Sequence, residues 1–316
     1  MLEGVKNNIT ANKPNPYWNM STTANNPVQI ATGTLERQPK TDSVELSPKT
    51  MSKQTKTLLT LGGIATAVIG TVLAVKGYHS HQISKGLEQI EQKFLKLQEN
   101  MPEVQKTFKD VFLRGDITEK EALEMLNRYK EVEKIGITGT KEEYARALFD
   151  EAKRNYGFEN INLRMHYDNL RAAHMGGGYA PSFDFVSVCS TNSKERLMNV
   201  IHHEFRHVKQ IFYAVNAEPD RFVLAMKEAK KGTAGEKYIP TVEKILKPFN
   251  MTKPNKSLVP KEYKTFVEDV IQGAKEQTYC GCGGKEYIKE YITNKNEIDA
   301  RFAGESMAKL FGLKAI

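Results

Sequence analysis

Apolar residues recur at steps of three and four along most of the chain beyond residue 84, a spacing that places them on one face of an α-helix. Thr118 with Glu121 and Thr140 with Glu143 have the spacing of capping boxes, which predicts that a helix begins after each threonine. The pattern therefore predicts a mainly helical protein. The apolar positions of the first four predicted helices are Leu87, Ile90, Phe94 and Leu97; Val104, Phe108, Val111 and Phe112; Ala122, Met125, Leu126 and Tyr129; and Tyr144, Leu148 and Phe149.

Two short segments predict strands. Apolar and polar residues alternate along Ile161–Tyr167, and Phe183–Val188 is the second candidate, after a break at the glycines 176–178. Asn192 and Glu195 then predict the start of a further helix. Helices around a small sheet indicate the α+β class. The apolar face of the further helix contains Leu197, Ile201, Phe205, Val208 and Phe212.

The N-terminal part of the chain has a different composition. Residues 1–56 are rich in Asn, Thr, Pro, Ser and Lys without an apolar period, which predicts a disordered tail. Thr57–Val75 then contains nineteen residues without a charge, and as a helix this segment would span about 28 Å, close to the thickness of a bilayer core. We therefore predict one transmembrane helix over residues 57–76. A small excess of lysines before the span predicts that the C-terminal part lies on the non-cytoplasmic side.

Residues 77–138 are predicted to form a helical stalk or subdomain, with the first part of the main domain as the alternative, and residues 139–316 form the main domain. The net charge is +8, but lysines alternate with glutamates and no dense basic block occurs, so no nucleic-acid partner is expected. Three cysteines argue against a disulfide scaffold. Two of them, in Cys280-Gly281-Cys282, precede two more glycines, which indicates a flexible turn.

The main chemical signal is the string His203-Glu204-Phe205-Arg206-His207, in the middle of the helix that follows the strands. Residues four apart share a helix face, so His203 and His207 can present two imidazoles to one ion. Glu204 is adjacent to the first ligand, where it can take a proton from a water molecule on that ion. The pattern predicts a Zn²⁺ site with Glu204 as general base. His202 points elsewhere and is expected to support the site from outside or to lie at the surface.

A third metal ligand is needed, and a late helix offers one. Glu297 is the preferred candidate, because a glutamate on a second helix packed across the first completes a site of two histidines and one carboxylate. Asp299 is the nearest rival, or an outer partner that orients an imidazole. Cys189 is a further rival, since a thiolate at the end of a strand could also bind zinc.

With these residues the chain resembles the zincin metallopeptidases of the gluzincin type, over roughly Thr140–Gly312. The resemblance implies that His203, His207 and Glu297 bind zinc and that Glu204 is the general base. It also implies that an edge strand before the active helix, here Phe183–Val188, pairs with an extended substrate. The chain departs from some gluzincins because the position four residues after Glu297 is Arg301 instead of aspartate. No particular family is assigned.

The expected function is that of a membrane-anchored zinc metallopeptidase that hydrolyses peptide bonds in a peptide or protein substrate. Two alternatives stay open: a catalytically inactive zincin-fold binding module anchored to a membrane, and a zinc hydrolase with a different substrate. The transition state also needs a residue that stabilises an oxyanion. The sequence does not select among the candidates, which are Tyr213, Tyr287, Tyr291, His166 and His174.

Overall fold

The computed structural model of the protein describes residues 80–168, 176–181, 183–233, 235–277 and 285–313. The predicted tail (1–56) and the predicted membrane span (57–76) lie outside the described residues, as do His174, Cys280 and Cys282. Among the helices in the described ranges, none is both long enough and apolar enough to cross a membrane.

Helices make up most of the described chain. Both predicted capping boxes are confirmed, at the starts of the third and fourth helices. The Thr118 hydroxyl accepts a hydrogen bond from the Glu121 amide at 3.2 Å, and the Glu121 carboxylate accepts one from the Thr118 amide at 2.9 Å. These bonds satisfy backbone donors that a helix start would leave unpaired. The helices are α1 (80–99), α2 (Met101–Phe112), α3 (Glu119–Thr138), α4 (Lys141–Asn155), α5 (Lys194–Ala217), α6 (Pro219–Lys230), α7 (Val242–Leu246), α8 (Lys264–Glu276), α9 (Lys285–Thr293) and α10 (Lys295–Leu310).

Three short strands between α4 and α5 form a sheet: β1 (Arg164–Asp168), β2 (Gly177–Gly178) and β3 (Phe185–Cys189). Their order is β1-β3-β2, with β3 parallel to β1 and antiparallel to β2. The α+β class is therefore confirmed. The expectation that the strand near residues 183–188 lies at the edge is wrong, because that strand is central and β2 takes the edge.

Glycine is required in β2 because the strand lies directly against α5. A Cβ atom on Gly177 would lie 2.8 Å from Cγ1 of Val200, 2.9 Å from the Ser187 carbonyl oxygen and 3.1 Å from Cγ of Glu204. A side chain at this position would push the strand away from the helix. The glycine run, which the sequence indicates only as a break, therefore also supplies the edge strand of the sheet.

Helix α5 begins one residue later than the sequence predicts. Ser193 is the N-cap, and its hydroxyl accepts a hydrogen bond from the Arg196 amide at 3.3 Å. The predicted cap, Asn192, instead donates through Nδ2 to the Gly176 carbonyl at 2.7 Å. Both residue types make good caps, so the bond between Asn192 and the edge of the sheet decides which of them starts the helix.

Helix α10 packs along α5 in the most extensive helix pairing of the described chain. Small buried residues allow the close approach: a Cβ atom on Gly304 would lie about 2.5 Å from the Asn199 carbonyl oxygen. Such a distance is shorter than any van der Waals contact, so the two backbones meet at this point. The other small residues buried on this face of α10 are Ala300, Ala303 and Ala308.

The described part of residues 77–138, predicted as a stalk or subdomain, belongs to the same hydrophobic core as α5. The ring of Phe112 on α2 lies 5.2 Å from that of Tyr156, and Tyr129 on α3 lies 5.0 Å from Phe311, just after α10. Helices α2 and α3 therefore pack into the same core as α5. They support α5 on the side occupied by His202.

Candidate metal centre

Helix α5 carries both histidines of the motif on one face. The Nε2 atoms of His203 and His207 lie 3.1 Å apart, and the two side chains are only 11 % and 15 % exposed. A spacing of four residues corresponds to about one helical turn, so the helix alone is sufficient to bring the two rings together.

The third side chain comes from α10. Asn294 caps this helix, because its Oδ1 accepts hydrogen bonds from the amides of Asn296 and Glu297 at 2.9 and 3.4 Å. The cap holds Glu297 in the first turn, with its Oε2 3.4 Å from His203 Nε2 and 3.5 Å from His207 Nε2. His203, His207 and Glu297 therefore form a group that could hold a metal ion.

Burial and neighbouring charges act on this group in opposite directions. Burial disfavours a charged His207, but the carboxylates of Glu297 and Glu204 and a hydrogen bond with Gln210 together outweigh burial and raise the pKa of His207 to about 9. Burial also opposes ionisation of Glu297, but the charge of His207 and hydrogen bonds from both histidines hold its pKa well below the ordinary value of 4.5. The site therefore keeps an ionised carboxylate in a buried position, as a cation-binding site requires.

Glu204 is the second carboxylate at this position and is 5 % exposed. Burial raises its pKa above the ordinary value of 4.5, although His203, His207 and a hydrogen bond from the Tyr179 backbone amide all favour the ionised form. Tyr179 directly follows β2. The edge strand and the acidic residue of the motif are therefore in direct contact. A carboxylate with a raised pKa is a better proton acceptor than an exposed one.

The Nδ1 atom of His207, on the side of the ring away from the metal-binding group, is hydrogen-bonded to a series of polar side chains. Its Nδ1 lies 2.8 Å from Oε1 of Gln210, whose Nε2 donates to Oδ2 of Asp299 at 2.8 Å and to the Asn296 carbonyl at 3.0 Å. Arg206 donates to both oxygens of Asp299, at 2.6 and 2.7 Å. Asp299, the predicted rival for the third ligand, is therefore bonded to Arg206 and Gln210 and lies outside the metal-binding group.

His202 and Cys189 also lie outside this group. His202 is fully buried with its Nε2 3.1 Å from the Tyr129 hydroxyl, and burial lowers its pKa to about 3. The predicted surface position for His202 is therefore wrong, because α5 directs its side chain into a core of aromatic rings. Cys189 ends β3, where its Sγ lies 3.0 Å from Oγ1 of Thr191. The rings packed around His202 are those of Phe112, Tyr129 and Tyr156.

The described candidates for oxyanion stabilisation lie on several elements. The Tyr213 hydroxyl donates to the carbonyl of Leu113, the C-cap residue of α2, at 3.1 Å, and this bond ties α5 to the end of α2. His166 is exposed on β1. Tyr287 and Tyr291 belong to α9. These placements do not select one of them for the role.

Gln210 and Arg206 are parts of the site that were not predicted from the sequence. A signal for Gln210 was present, since a residue three positions after His207 lies on the same helix face. The partner of Arg206 could not be inferred, because Asp299 is 93 positions away. A cleft of about 660 Å³ is lined by Arg206 and Asp299 together with residues of α2 and Tyr263, but not by the three residues of the metal-binding group.

The fold and the site define an α+β protein in which two helices present two histidines and a glutamate as a group that could hold a metal ion. No family model matches the sequence, and comparisons with curated proteins and with solved structures found no match.

Proposed function

We propose that the protein is a zinc-dependent hydrolase of peptide bonds, with a zincin-like domain of the gluzincin type. The observation that carries the proposal is the triangle of ligand atoms, whose sides are 3.1, 3.4 and 3.5 Å. Zinc–ligand bonds of about 2.0–2.1 Å in a tetrahedron place neighbouring ligand atoms about 3.3–3.4 Å apart. The three atoms thus fit three corners of a tetrahedral zinc site.

The donor set supports zinc over magnesium or calcium. Imidazole nitrogens suit transition metals, whereas magnesium and calcium take oxygen ligands almost exclusively. Two histidines and one glutamate also leave a fourth position for water, as in catalytic zinc sites. A zinc ion bound here would supply Lewis-acid activation of that water.

The acid–base role belongs to Glu204. Its carboxylate is buried beside the metal-binding group, and its raised pKa suits it to take a proton from water and return it to the leaving amine. The Tyr179 amide holds the carboxylate in place from the edge of the sheet. Glu204 can therefore act without being a ligand.

A peptide is the substrate class that the edge strand favours. Among the strands that the structure describes, β2 pairs only with β3, and the Cys189 amide donates to the Gly176 carbonyl at 2.9 Å on that side. Because backbone groups alternate along a strand, those of Gly177 face away from β3. An extended peptide added at this edge would run past Glu204. The uncharged run at residues 57–75 supports a single-pass membrane anchor over residues 57–76, and the excess of lysines before it supports a non-cytoplasmic position for the domain.

The test compares the full chain with Glu204→Gln and with Glu305→Gln, an exposed glutamate on α10 as matched control. We expect about one zinc per chain in all three proteins, by elemental analysis. Hydrolysis of a quenched-fluorescent peptide library should fall by about 10²- to 10⁴-fold in Glu204→Gln alone.

Full activity in Glu204→Gln would exclude the proposed mechanism. Zinc binding without hydrolysis of any peptide by the unmodified chain would favour a binding module, and hydrolysis of esters alone would favour a different substrate. A chain that binds no zinc after reconstitution would overturn the metal site itself.

A further inference from the structure

We infer that Gln210 is a positioning residue for the metal centre, and that Asp299 and Arg206 hold it in place. In this arrangement Gln210 keeps the Nδ1 nitrogen of His207 protonated and directs Nε2 toward the ion. The inference rests on the proposed metal site. The inference goes beyond that site because it assigns a role in metal affinity to three residues that bind no metal.

The orientation of the Gln210 amide follows from its partners. Its nitrogen faces Asp299 Oδ2 at 2.8 Å and the Asn296 carbonyl at 3.0 Å, and both of these atoms only accept hydrogen bonds. The NH₂ group must therefore point toward them, and the amide oxygen must point toward His207 Nδ1, 2.8 Å away. Since this oxygen can only accept, Nδ1 must carry the proton.

That protonation state is the one that zinc binding needs. A neutral imidazole carries its proton on either nitrogen, and only the form with the proton on Nδ1 leaves the Nε2 lone pair free for a metal. The Nε2 atom of His207 is the one that points at His203 and Glu297. Gln210 therefore holds a proton on Nδ1, leaves Nε2 as the nitrogen that faces the ion, and fixes the plane of the ring.

The hydrogen bonds that hold Gln210 in place extend to two other helices, α10 and α2. Asp299, on α10, is held by Arg206 through two hydrogen bonds at 2.6 and 2.7 Å. The same guanidinium donates to the carbonyls of Asp110 and Val111 at the C-terminal end of α2, at 2.9 and 2.7 Å. A cation is favoured at that end of a helix. Gln210 is therefore hydrogen-bonded to a charged pair, Asp299 and Arg206, and the hydrogen bonds of this pair restrict the rotation of both side chains.

The neutral amide also separates two charges. A carboxylate that bonded directly to His207 would make the imidazole more basic and would add a second negative charge beside Glu297. Gln210 instead links the imidazole to Asp299 through hydrogen bonds, and it keeps the charge of Asp299 one side chain away from the ring. The chain of bonds therefore supports metal affinity mainly through geometry and protonation.

The experiment measures the zinc dissociation constant of the full chain by competition with a chromophoric chelator. Gln210→Met keeps the length of the side chain and removes both ends of the hydrogen-bonded link. Gln272→Met, at an exposed position on α8, is the matched control. We expect the dissociation constant to rise about 10- to 100-fold in Gln210→Met, the range typical for loss of an outer partner of a ligand, and to stay unchanged in Gln272→Met.

A second measurement separates positioning from general stability. In the zinc-loaded chain with ¹⁵N-labelled histidine, the Nδ1 proton of His207 should give an NMR signal that exchanges slowly with water. In Asp299→Asn, which weakens the anchor and leaves Gln210 in place, this proton should exchange faster and zinc should bind more weakly. This variant also serves as the test if Gln210→Met fails to fold.

The outcomes distinguish this inference from the proposed function. An unmodified chain without zinc would overturn the proposed function, and the inference with it. If Gln210→Met folds and binds zinc as tightly as the unmodified chain, the inference is overturned but the proposed function is not. Unchanged zinc affinity and unchanged Nδ1 exchange in Asp299→Asn would also overturn it.

Discussion

At His207, the charge of a single imidazole depends on a competition between burial and the Glu297 carboxylate. Glu297, Glu204 and the hydrogen bond with Gln210 together outweigh burial and raise the pKa of His207 from an ordinary 6.5 to about 9. In the metal-free protein the charged ring therefore contributes stability that is fully present below pH 6.5 and is lost as the pH rises through about 9. Glu297, with its lowered pKa, contributes stability that is present above pH 4.5 and is lost as the pH falls.

This raised pKa predicts that zinc competes with a proton for His207. Zinc binding at pH 7–8 should release the proton from Nε2, so the apparent affinity should rise by about tenfold per pH unit and level off above about pH 9. Calorimetry in two buffers with different heats of ionisation measures the released proton. Identical binding heats in both buffers, with an affinity independent of pH, would contradict this prediction.

At the level of whole elements, the site depends on how closely α10 approaches α5. Glu297 belongs to α10 and both histidines belong to α5, so the separation of the two helices determines the distance from Oε2 to the imidazoles. Gly304 lies where the two backbones meet. The same packing brings Asp299 within reach of Arg206 and Gln210.

Gly304→Ala should therefore weaken both the fold and the metal site. The added Cβ would lie about 2.5 Å from a backbone oxygen of α5, and forcing it in should cost about 1–3 kcal/mol of unfolding free energy. Urea unfolding and the zinc dissociation constant report the two effects. Gly115→Ala is the control, because no atom lies within 4 Å of its added Cβ. Equal stability and equal zinc affinity in the two variants would show that the helices can move apart at no cost.

At the scale of the whole molecule, the metal-binding group joins segments about 90 positions apart, since Glu297 follows His203 by 94 residues and His207 by 90. A single hydrophobic core already holds these segments together, with contributions from α1 to α8 and from α10. We therefore expect the chain to fold without the ion. An ion that binds only the folded state adds its binding free energy to the stability.

Zinc should accordingly raise the melting temperature of the full chain. At a free zinc concentration of 100 times the dissociation constant, the added stability should be about 2.7 kcal/mol. Differential scanning calorimetry with and without zinc measures the shift, and Glu297→Gln should lose most of it while Glu305→Gln keeps it. A melting temperature that zinc does not change in the unmodified chain would argue against a site of this strength.

Features that depend on neighbouring residues could be predicted from the sequence alone. Capping boxes predicted the starts of α3 and α4, and the helical period predicted the burial of Leu197, Ile201, Phe205 and Val208 on α5, although Phe212 is only partly buried. The spacing of His203 and His207 predicted their shared face. These features follow from one helical turn of backbone geometry, which the chain adopts wherever it is helical.

Features that depend on contacts between distant residues follow from the packing of the folded chain and could not be predicted from the sequence. Glu297 and Asp299 are both acidic and two residues apart, and the packing of α10 on α5 directs the first toward the histidines and the second toward Arg206. The same holds for the edge position of β2, which follows from the fit of Gly177 against α5. Local propensity is nearly equal for such alternatives, so the choice is made by burial, charge pairing and close packing between elements far apart in the chain.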